Sequence, residues 1–371
     1  MSMKEVRFLL FVFVFFVSFT GSAISAEYVG SDTCFKCHPD QHNDFRVSGH
    51  PYKIQKVDTV KFWPLPLPKG YTWDDISYVI GGATKKARYM DKRGYIITAA
   101  KDGSDLKAQY NLADGSWSYY EKGKKKKYDC GPCHMTNFKK EGMQDGLEGI
   151  VGTWTFAGIQ CEECHGAGGD HAMSGDKTKI KVDRSSAACG KCHIRGAKDK
   201  IPASKGFIQH HEQYNELLAG PHKGLDCVTC HNPHKKAHIS VKKDCASCHS
   251  KQAADYKGSA MEAVGVSCAD CHMPKATKSA VNKSKLEADV MTHTFKINVD
   301  PKAEMFYKEP KLDKEGKQVM DKDGKPEMNE FAKGFVTLDF ACLNCHKNKD
   351  VKWAAKKARK VHSYGKVKMK K

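Results

Sequence analysis

The chain has 371 residues, and its 62 Lys and Arg against 43 Asp and Glu give a formal charge of +19. Its sixteen cysteines all fall in Cys-x-x-Cys pairs, which leaves none over for a disulfide framework or a free thiol. The positive excess would point to nucleic acid or an anionic surface only if nothing bound to the chain balances it.

Residues 1–26 read as a secretory signal peptide. Lys4 and Arg7 form a basic start, Phe8 to Phe19 is apolar and uncharged, and small residues follow at Gly21-Ser22-Ala23 and Ser25-Ala26. Cleavage is expected after Ala26. The apolar run is shorter than the ~20 residues needed to span a bilayer, no other segment qualifies, and no cysteine beside the cleavage point offers a lipid anchor. The mature chain is expected in the periplasm, or exported to the cell surface, with no membrane anchor.

Cys34/Cys37/His38 opens a pattern that recurs eight times. The second to fifth copies are Cys130/Cys133/His134, Cys161/Cys164/His165, Cys189/Cys192/His193 and Cys227/Cys230/His231. The sixth to eighth are Cys245/Cys248/His249, Cys268/Cys271/His272 and Cys342/Cys345/His346. A lone Cys-x-x-Cys fits a zinc half-site or a redox pair, but neither demands histidine next. Histidine is 18 of 371 residues, so its presence after all eight pairs has a chance probability on the order of 10⁻¹¹. Cys-x-x-Cys-His is the attachment signature of haem c: two thioethers to the porphyrin, and the adjacent imidazole as proximal iron ligand. Eight covalent haems are expected.

That cofactor load changes the charge argument. Without residues 1–26 the formal charge is +18. About sixteen haem propionates lower it to roughly +2 with ferrous iron and roughly +10 with ferric iron. A nucleic-acid partner is therefore not expected. The runs Lys122 to Lys127 and Lys352 to Lys371 are solvated faces, or docking surfaces for an acidic partner.

Residues 51–129 carry no motif and the most strand signal. Arg88-Tyr89-Met90 and Tyr95 to Thr98 flank Asp91-Lys92-Arg93-Gly94, and Gln109 to Leu112 and Trp117 to Tyr120 flank Asp114-Gly115. Both read as hairpins. Trp63, Trp73 and Trp117 are candidates for a small β core. From Cys130 to His272 six motifs fall within 143 residues, one per about 24. That spacing leaves little room for a protein core, so the porphyrins must supply much of the buried apolar surface. The expected fold is mainly α with little regular structure, wrapped around a chain of haems, with a β-hairpin insertion at about 51–129. Residues 273–341 form a second gap, with a hairpin over Gln318 to Glu327 around Asp323-Gly324. An EF-hand reading of Asp321-x-Asp323 fails because the glycine falls at the wrong offset. A basic helix is expected over Val351 to Val361. The segments are thus 1–26, 27–129 with the first motif, 130–280 with six, and 281–371 with the last.

Ten histidines lie outside the motifs, enough for a second histidine on every iron. Axial ligands set potential and decide whether an iron can bind substrate. His50, His171, His222, His234, His293 and His362 are the best placed by local context. His210 and His211 are adjacent, so one of the two is expected to ligate. His42 and His238 are the remaining candidates. His222 and His234 lie too close in sequence to His231 to reach the far face of its haem, and are expected to reach neighbouring haems. Met261 reads as a core residue.

The chain resembles the multihaem cytochromes of the hydroxylamine oxidoreductase and pentahaem nitrite reductase superfamily, and the tetrahaem electron acceptor of hydroxylamine oxidoreductase. The strings that carry this are FRVSGHPYK at His50, GIQCEECHGAGGDH ending at His171, GPHKGLDCVTCHNPH through His234, VSCADCHMPK, and DVMTHTFKI at His293. The resemblance implies distal ligation by His50, His171, His222, His234 and His293. The departures bear on activity: ammonia-forming nitrite reductases usually carry one Cys-x-x-Cys-Lys, and here all eight motifs end in His. No tyrosine here matches the crosslinked one of hydroxylamine oxidoreductase. A lysine ligand, as on the active haem of octahaem tetrathionate reductase, stays open.

The function expected is electron transfer in anaerobic respiration, between a membrane quinol-oxidising system and a terminal reductase or extracellular acceptor, as a shuttle or a filament of subunits. The alternative is reduction of a nitrogen or sulfur oxyanion, of nitrite, hydroxylamine or tetrathionate type, at one open or lysine-ligated haem. No catalytic residue is assigned at this level.

Overall fold

The computed structural model describes residues 27–362. The expected signal peptide and the end of the basic tail, residues 363–371, lie outside the described residues. The fold is mixed α/β, with 28% helix and 20% strand in several sheets. The expectation of a mainly α chain with little regular structure is corrected on this point. Regular strands also form among the motifs and in the C-terminal segment, from pieces too short to show a period.

The larger sheet has seven strands between Ile54 and Lys127. Its centre is the antiparallel pair Ile76–Gly81 and Lys86–Asp91, flanked by Ile54–Lys56 and Tyr95–Ile96. Both expected hairpins are present: Met90 pairs with Ile96, and Tyr110 with Trp117. Gly94 turns the first at φ +83, and an added Cβ there would lie 2.9 Å from Ile150 and Leu147 side chains. Both faces of the sheet are covered, so ISYVIG reads as a continuous apolar run rather than an alternation. Tyr78, Ile80, Met90 and Ile96 pack on one side with Tyr128, Met135, Ile150 and Trp154. Val79, Ala87, Tyr89 and Ile97 pack on the other with Val60, against partly buried Trp63, Trp73 and Trp117. A register shift between Ile76 and Tyr78 turns Ile76 to this second side. The first side faces the second motif.

The smaller sheet joins distant segments in the order Thr277–Lys278, Phe207–Gln209, Ile201–Ser204, Met328–Ala332, Phe306–Pro310. Lys205 and Gly206, at φ 53 and φ 76, make the tight turn between the second and third of these. Ile201, Phe207, Ile208, Met305, Val336 and Phe340 form its core. The outer pair continues into an exposed ribbon in which Met320 bridges to Pro326 around Gly324, where the second hairpin was expected.

The motifs themselves are single helical turns, among them Gly131–His134, Cys161–His165, Cys227–Cys230 and Cys268–His272. In five of them the histidine amide donates to the carbonyl of the first cysteine, at 2.9 Å for His38, His193, His231 and His249 and 3.0 Å for His346. One turn is what brings two thiols and an imidazole onto one side. The C-terminal helix runs Val351–Ala358, with Asp350 accepting from Trp353 N as its cap. Among the described residues, no helix is long and apolar enough to cross a membrane.

Candidate haem sites and the cationic face of His134

Two imidazoles on opposite sides of one iron, each nitrogen about 2.0 Å away, place their ring centres about 6.2 Å apart. Six motif histidines have a partner at about that spacing. His38 faces His171 at 6.2 Å, His165 faces His234 at 6.3 Å, and His272 faces His362 at 6.2 Å, all nearly parallel. His193 faces His50 at 6.3 Å and His231 faces His293 at 6.2 Å. His249 faces His222 at 5.9 Å. These gaps fit an iron between two nitrogens, which tests the implied cofactor against the side chains themselves.

The ring orientations agree. Nδ1 of His165 bonds the Lys181 carbonyl at 2.8 Å, and that of His272 the Phe295 carbonyl at 2.8 Å. Nδ1 of His171 bonds the Asp176 carbonyl at 2.9 Å, and that of His231 the Ser240 hydroxyl at 2.7 Å. Fixing Nδ1 in this way leaves Nε2 for a metal. Burial, reinforced by neighbouring cations and histidines, holds His50 down to about 3 and His293 to about 4. Both are therefore neutral, as iron ligands must be.

The thiols are less uniformly placed than the rings. Most motif cysteines lie against a cysteine of another motif, but Cys37 of the first and Cys248 of the sixth do not. Both are exposed, and among the described residues neither meets a thiol outside its own motif. The structure therefore leaves these two expected thioether positions supported by the motif turn alone. That turn is present at both: Cys37 N donates to the Cys34 carbonyl at 3.3 Å, and Cys248 N to the Cys245 carbonyl at 3.2 Å. The physical reason lies in the turn itself, which in each motif directs the first cysteine, Cys34 or Cys245, toward the adjoining motif and the second toward solvent.

The positions of these rings come from specific packing. The His50 carbonyl accepts from Ile159 N at 3.0 Å. At Gly158, φ +74, a Cβ would stand 2.0 Å from the Pro51 carbonyl oxygen. His293 is held by Glu216, whose fully buried carboxyl accepts from His293 N and from Thr292 Oγ1. Burial pushes Glu216 up to about 8 against the pull of those hydrogen bonds. The helix that carries it, Gln213–Ala219, also presents Gln213 to His193 Nδ1 at 3.1 Å.

The second motif differs. His134 Nδ1 is hydrogen-bonded to Tyr128 OH at 3.2 Å, and no histidine ring faces it at the spacing of the six pairs among the described residues. His210 and His211 instead lie against each other at 4.1 Å, with His211 at φ 97. Around them stand four cations from three parts of the chain. Lys86 and Arg88 are on one face of the strand Lys86–Asp91, two residues apart. Lys86 Nζ is 3.5 Å from His210 Nε2 and donates to Ser279 O at 2.8 Å. Burial lowers Lys86 to about 7. Arg88 lies 3.5 Å over the Tyr120 ring and donates to Gln109 Oε1 at 2.8 Å. Arg195 donates to buried Glu212 at 2.7 Å and to the His210 carbonyl at 3.3 Å. Lys53 is the fourth. Burial, then Lys53, Arg88 and Lys86, bring His134 down to about 3. The residues of this cluster other than the two histidines were not picked out from the sequence. Lys86-x-Arg88 inside an apolar strand was the available signal.

The eighth motif also lacks a paired histidine among the described residues; the His346 ring packs 4.8 Å from Trp353. His42 packs on Phe35 at 4.9 Å, with Nε2 3.6 Å from Asp32, and its Nδ1 is buried without a partner. His238 is exposed on the short turn Ala237–Ile239. Neither faces a motif histidine.

Residues 237–370 match the model of outer membrane cytochrome MtrC/MtrF-like domains II/IV, and residues 98–166 match that of cytochrome c554 and c-prime. Multiheme cytochrome MtrA of Shewanella baltica is 27% identical over 177 residues, 42% of this chain and 49% of that protein. Dissimilatory sulfite reductase MccA of Wolinella succinogenes is 26% identical over 315 residues, 68% of this chain and 42% of that protein. The chain thus spans less than half the length of these two relatives. Among solved structures, octaheme sulfite reductase MccA of Wolinella succinogenes superposes with a TM-score of 0.59 at 19% identity, over 86% of this chain and 65% of that one. Outer cell wall cytochrome OcwA superposes with a TM-score of 0.55 at 20% identity, over 89% of this chain and 86% of that one.

Motifs, ring pairs and comparisons together define a multihaem c-type cytochrome of mixed α/β fold, with multiple covalent haems. It is related to MtrC/MtrF, cytochrome c554, the octahaem sulfite reductase MccA and OcwA.

Proposed function

We propose that this is an exported octahaem cytochrome that carries electrons between a membrane quinol-oxidising donor and a terminal reductase or extracellular acceptor. The six imidazole pairs carry the reading. Two nitrogen ligands close an iron to substrate and favour a low-potential, electron-transferring centre. Haem, when bound, stores and passes single electrons; the chain's residues fix each ring, keep it neutral and hold neighbouring motifs together. Distal ligation is assigned to His171, His50, His234, His293, His222 and His362, opposite His38, His193, His165, His231, His249 and His272 respectively. The test is a pyridine haemochrome count with electron paramagnetic resonance of the oxidised protein. Eight haems with at least six low-spin bis-histidine signals are expected; fewer than six such signals would remove the assignment.

A second reading is favoured by one observation, the cationic face at His134. An iron there would have no second histidine opposite it. Lys86, Arg88, Lys53 and Arg195 supply charge for a small oxyanion of sulfur or nitrogen, and His210 and His211 are candidate proton donors. The relatedness to a sulfite reductase is consistent with this. Turnover of sulfite or nitrite by the reduced holoprotein, lost in Lys86→Ala/Arg88→Ala, is expected on this reading. No turnover of either anion by the wild type would exclude it for both.

A further inference from the structure

The eight motifs can be ordered in space from contacts that owe nothing to their order in the sequence. The first docks on the third: Cys34 and Cys161 thiols interact, and Ser31 Oγ accepts from Cys161 N at 3.2 Å. Buried Glu162, in the third motif, accepts from Val29 N at 2.9 Å and Gly30 N at 2.8 Å, just before the first. The fourth docks on the fifth: Cys189 and Cys227 thiols interact, and Ser186 N donates to Asp226 at 2.8 Å. The fifth is tied to the sixth, since Lys242 N donates to the Cys230 carbonyl at 2.8 Å and Cys230 faces Cys245. Cys245 and Cys268 join the sixth to the seventh, and Tyr256 OH bonds Val266 O at 2.8 Å between them. Cys271 faces Cys342 and Cys345, and the turns of the seventh and eighth pack together.

The second motif touches this series from the side. Its Cys133 interacts with Cys192 of the fourth. Cys133 Sγ is 3.9 Å from the Lys191 carbonyl, and Cys192 Sγ 3.9 Å from the Pro132 carbonyl, a reciprocal contact. A cleft of about 420 Å³ lined by Pro132, Cys164 and Lys191 brings the second, third and fourth motifs together. Cys164 and Cys189 are electrostatic neighbours, which completes the link from third to fourth. On its other side the second motif meets the large sheet through Arg88 and Tyr128.

We infer that seven motifs form one line, first–third–fourth–fifth–sixth–seventh–eighth, and that the second is a side branch joined at the fourth. The inference rests on the electron-carrier reading. Each transfer takes one electron from a ferrous centre to a ferric neighbour, with no bond made or broken. Electrons crossing the molecule pass the fourth centre and need not visit the second. The cationic face at His134 is then fed from the line without interrupting it.

The experiment bridges the holoprotein between gold electrodes through cysteines introduced at Val47→Cys and Lys349→Cys, both exposed positions beside the two ends of the line. Currents are compared for Cys189→Ala/Cys192→Ala and Cys130→Ala/Cys133→Ala, each verified to carry one haem fewer. Loss of the fourth centre is expected to lower the current at least tenfold below that left by loss of the second. Equal losses, or a larger loss on removing the second, overturn the branch. If either deletion fails to mature, His50→Met and His134→Met keep all sixteen motif thiols and make the same comparison. A parent protein that carries no current overturns the electron-carrier reading, and the inference with it.

Discussion

Gly158→Ala removes no ligand, yet it is expected to open the fourth haem. The new Cβ would stand 2.0 Å from the Pro51 carbonyl oxygen, whereas real contacts of this kind do not fall below 3.0 Å. The two segments must therefore part by about 1 Å, against an iron–imidazole bond of only about 2.0 Å. His50 immediately precedes Pro51, and its carbonyl is tied to Ile159 N at 3.0 Å, so the shift falls on His50 and that hydrogen bond. The left-handed backbone at φ +74 adds about 1–2 kcal/mol, and the lost hydrogen bond about 1 kcal/mol. The assay is electron paramagnetic resonance of the oxidised protein beside a haemochrome count. One centre should change from low-spin to high-spin while the haem count stays unchanged. An unaltered low-spin spectrum in a correctly loaded variant would refute the assignment of His50 to the fourth haem, or the rigidity claimed for its support.

Glu162→Ala leaves the amides of Val29, Gly30 and Gly168 without their buried acceptor. At about 1–3 kcal/mol per orphaned donor, thermal unfolding should show a loss of about 3 kcal/mol or more, and first-motif haem occupancy should fall. Tyr78→Phe removes a 2.5 Å hydrogen bond to Asp145, which Lys56 also holds at 2.9 Å. Burial would raise the Asp145 carboxyl, but these bonds outweigh it and keep it below 3.8. The stabilisation is therefore present above that pH and lost as the carboxyl protonates below it. Denaturant titration should show a deficit of about 1 kcal/mol at neutral pH that closes in acid. His362→Met should raise the potential of the seventh centre, since a thioether favours ferrous iron relative to a second imidazole. Spectroelectrochemistry should then show one upward-shifted component, and an unchanged titration would remove His362 from the ligand set.

The motifs and their one-turn helices were legible because their chemistry is local: three residues within one turn suffice. The hairpins around Gly94 and Asp114-Gly115 were legible for the same reason. The partner of each motif histidine was not. His171 follows the third motif but faces His38 of the first, and nothing in the intervening residues states that. The sheet joining Ile201–Ser204 to Met328–Ala332 pairs residues far apart in the chain, with strands too short for a period to emerge. The cationic face escaped for a different reason. Lys86 and Arg88 read as ordinary charges on a strand expected to have one wet side, whereas both sides of that sheet are covered.

The pairing also explains how so little protein holds so many haems. His171 and His234 follow the third and fifth motifs yet face the first and third; His222 precedes the fifth and faces the sixth; His362 follows the eighth and faces the seventh. Each such pair, once joined through an iron, closes a loop between two motifs that the polypeptide alone links only loosely. Loop-closure entropy grows slowly with length, so the long closure from His38 to His171 costs only modestly more than a short one. Ligation therefore works as folding energy, as at other metal sites absent from the unfolded chain. The same crossing forces neighbouring motifs into contact, which is what rapid electron transfer between their haems requires. A distal histidine in this protein is a structural staple and an electronic ligand at once. Substituting one should therefore weaken the fold at a motif remote from it in sequence.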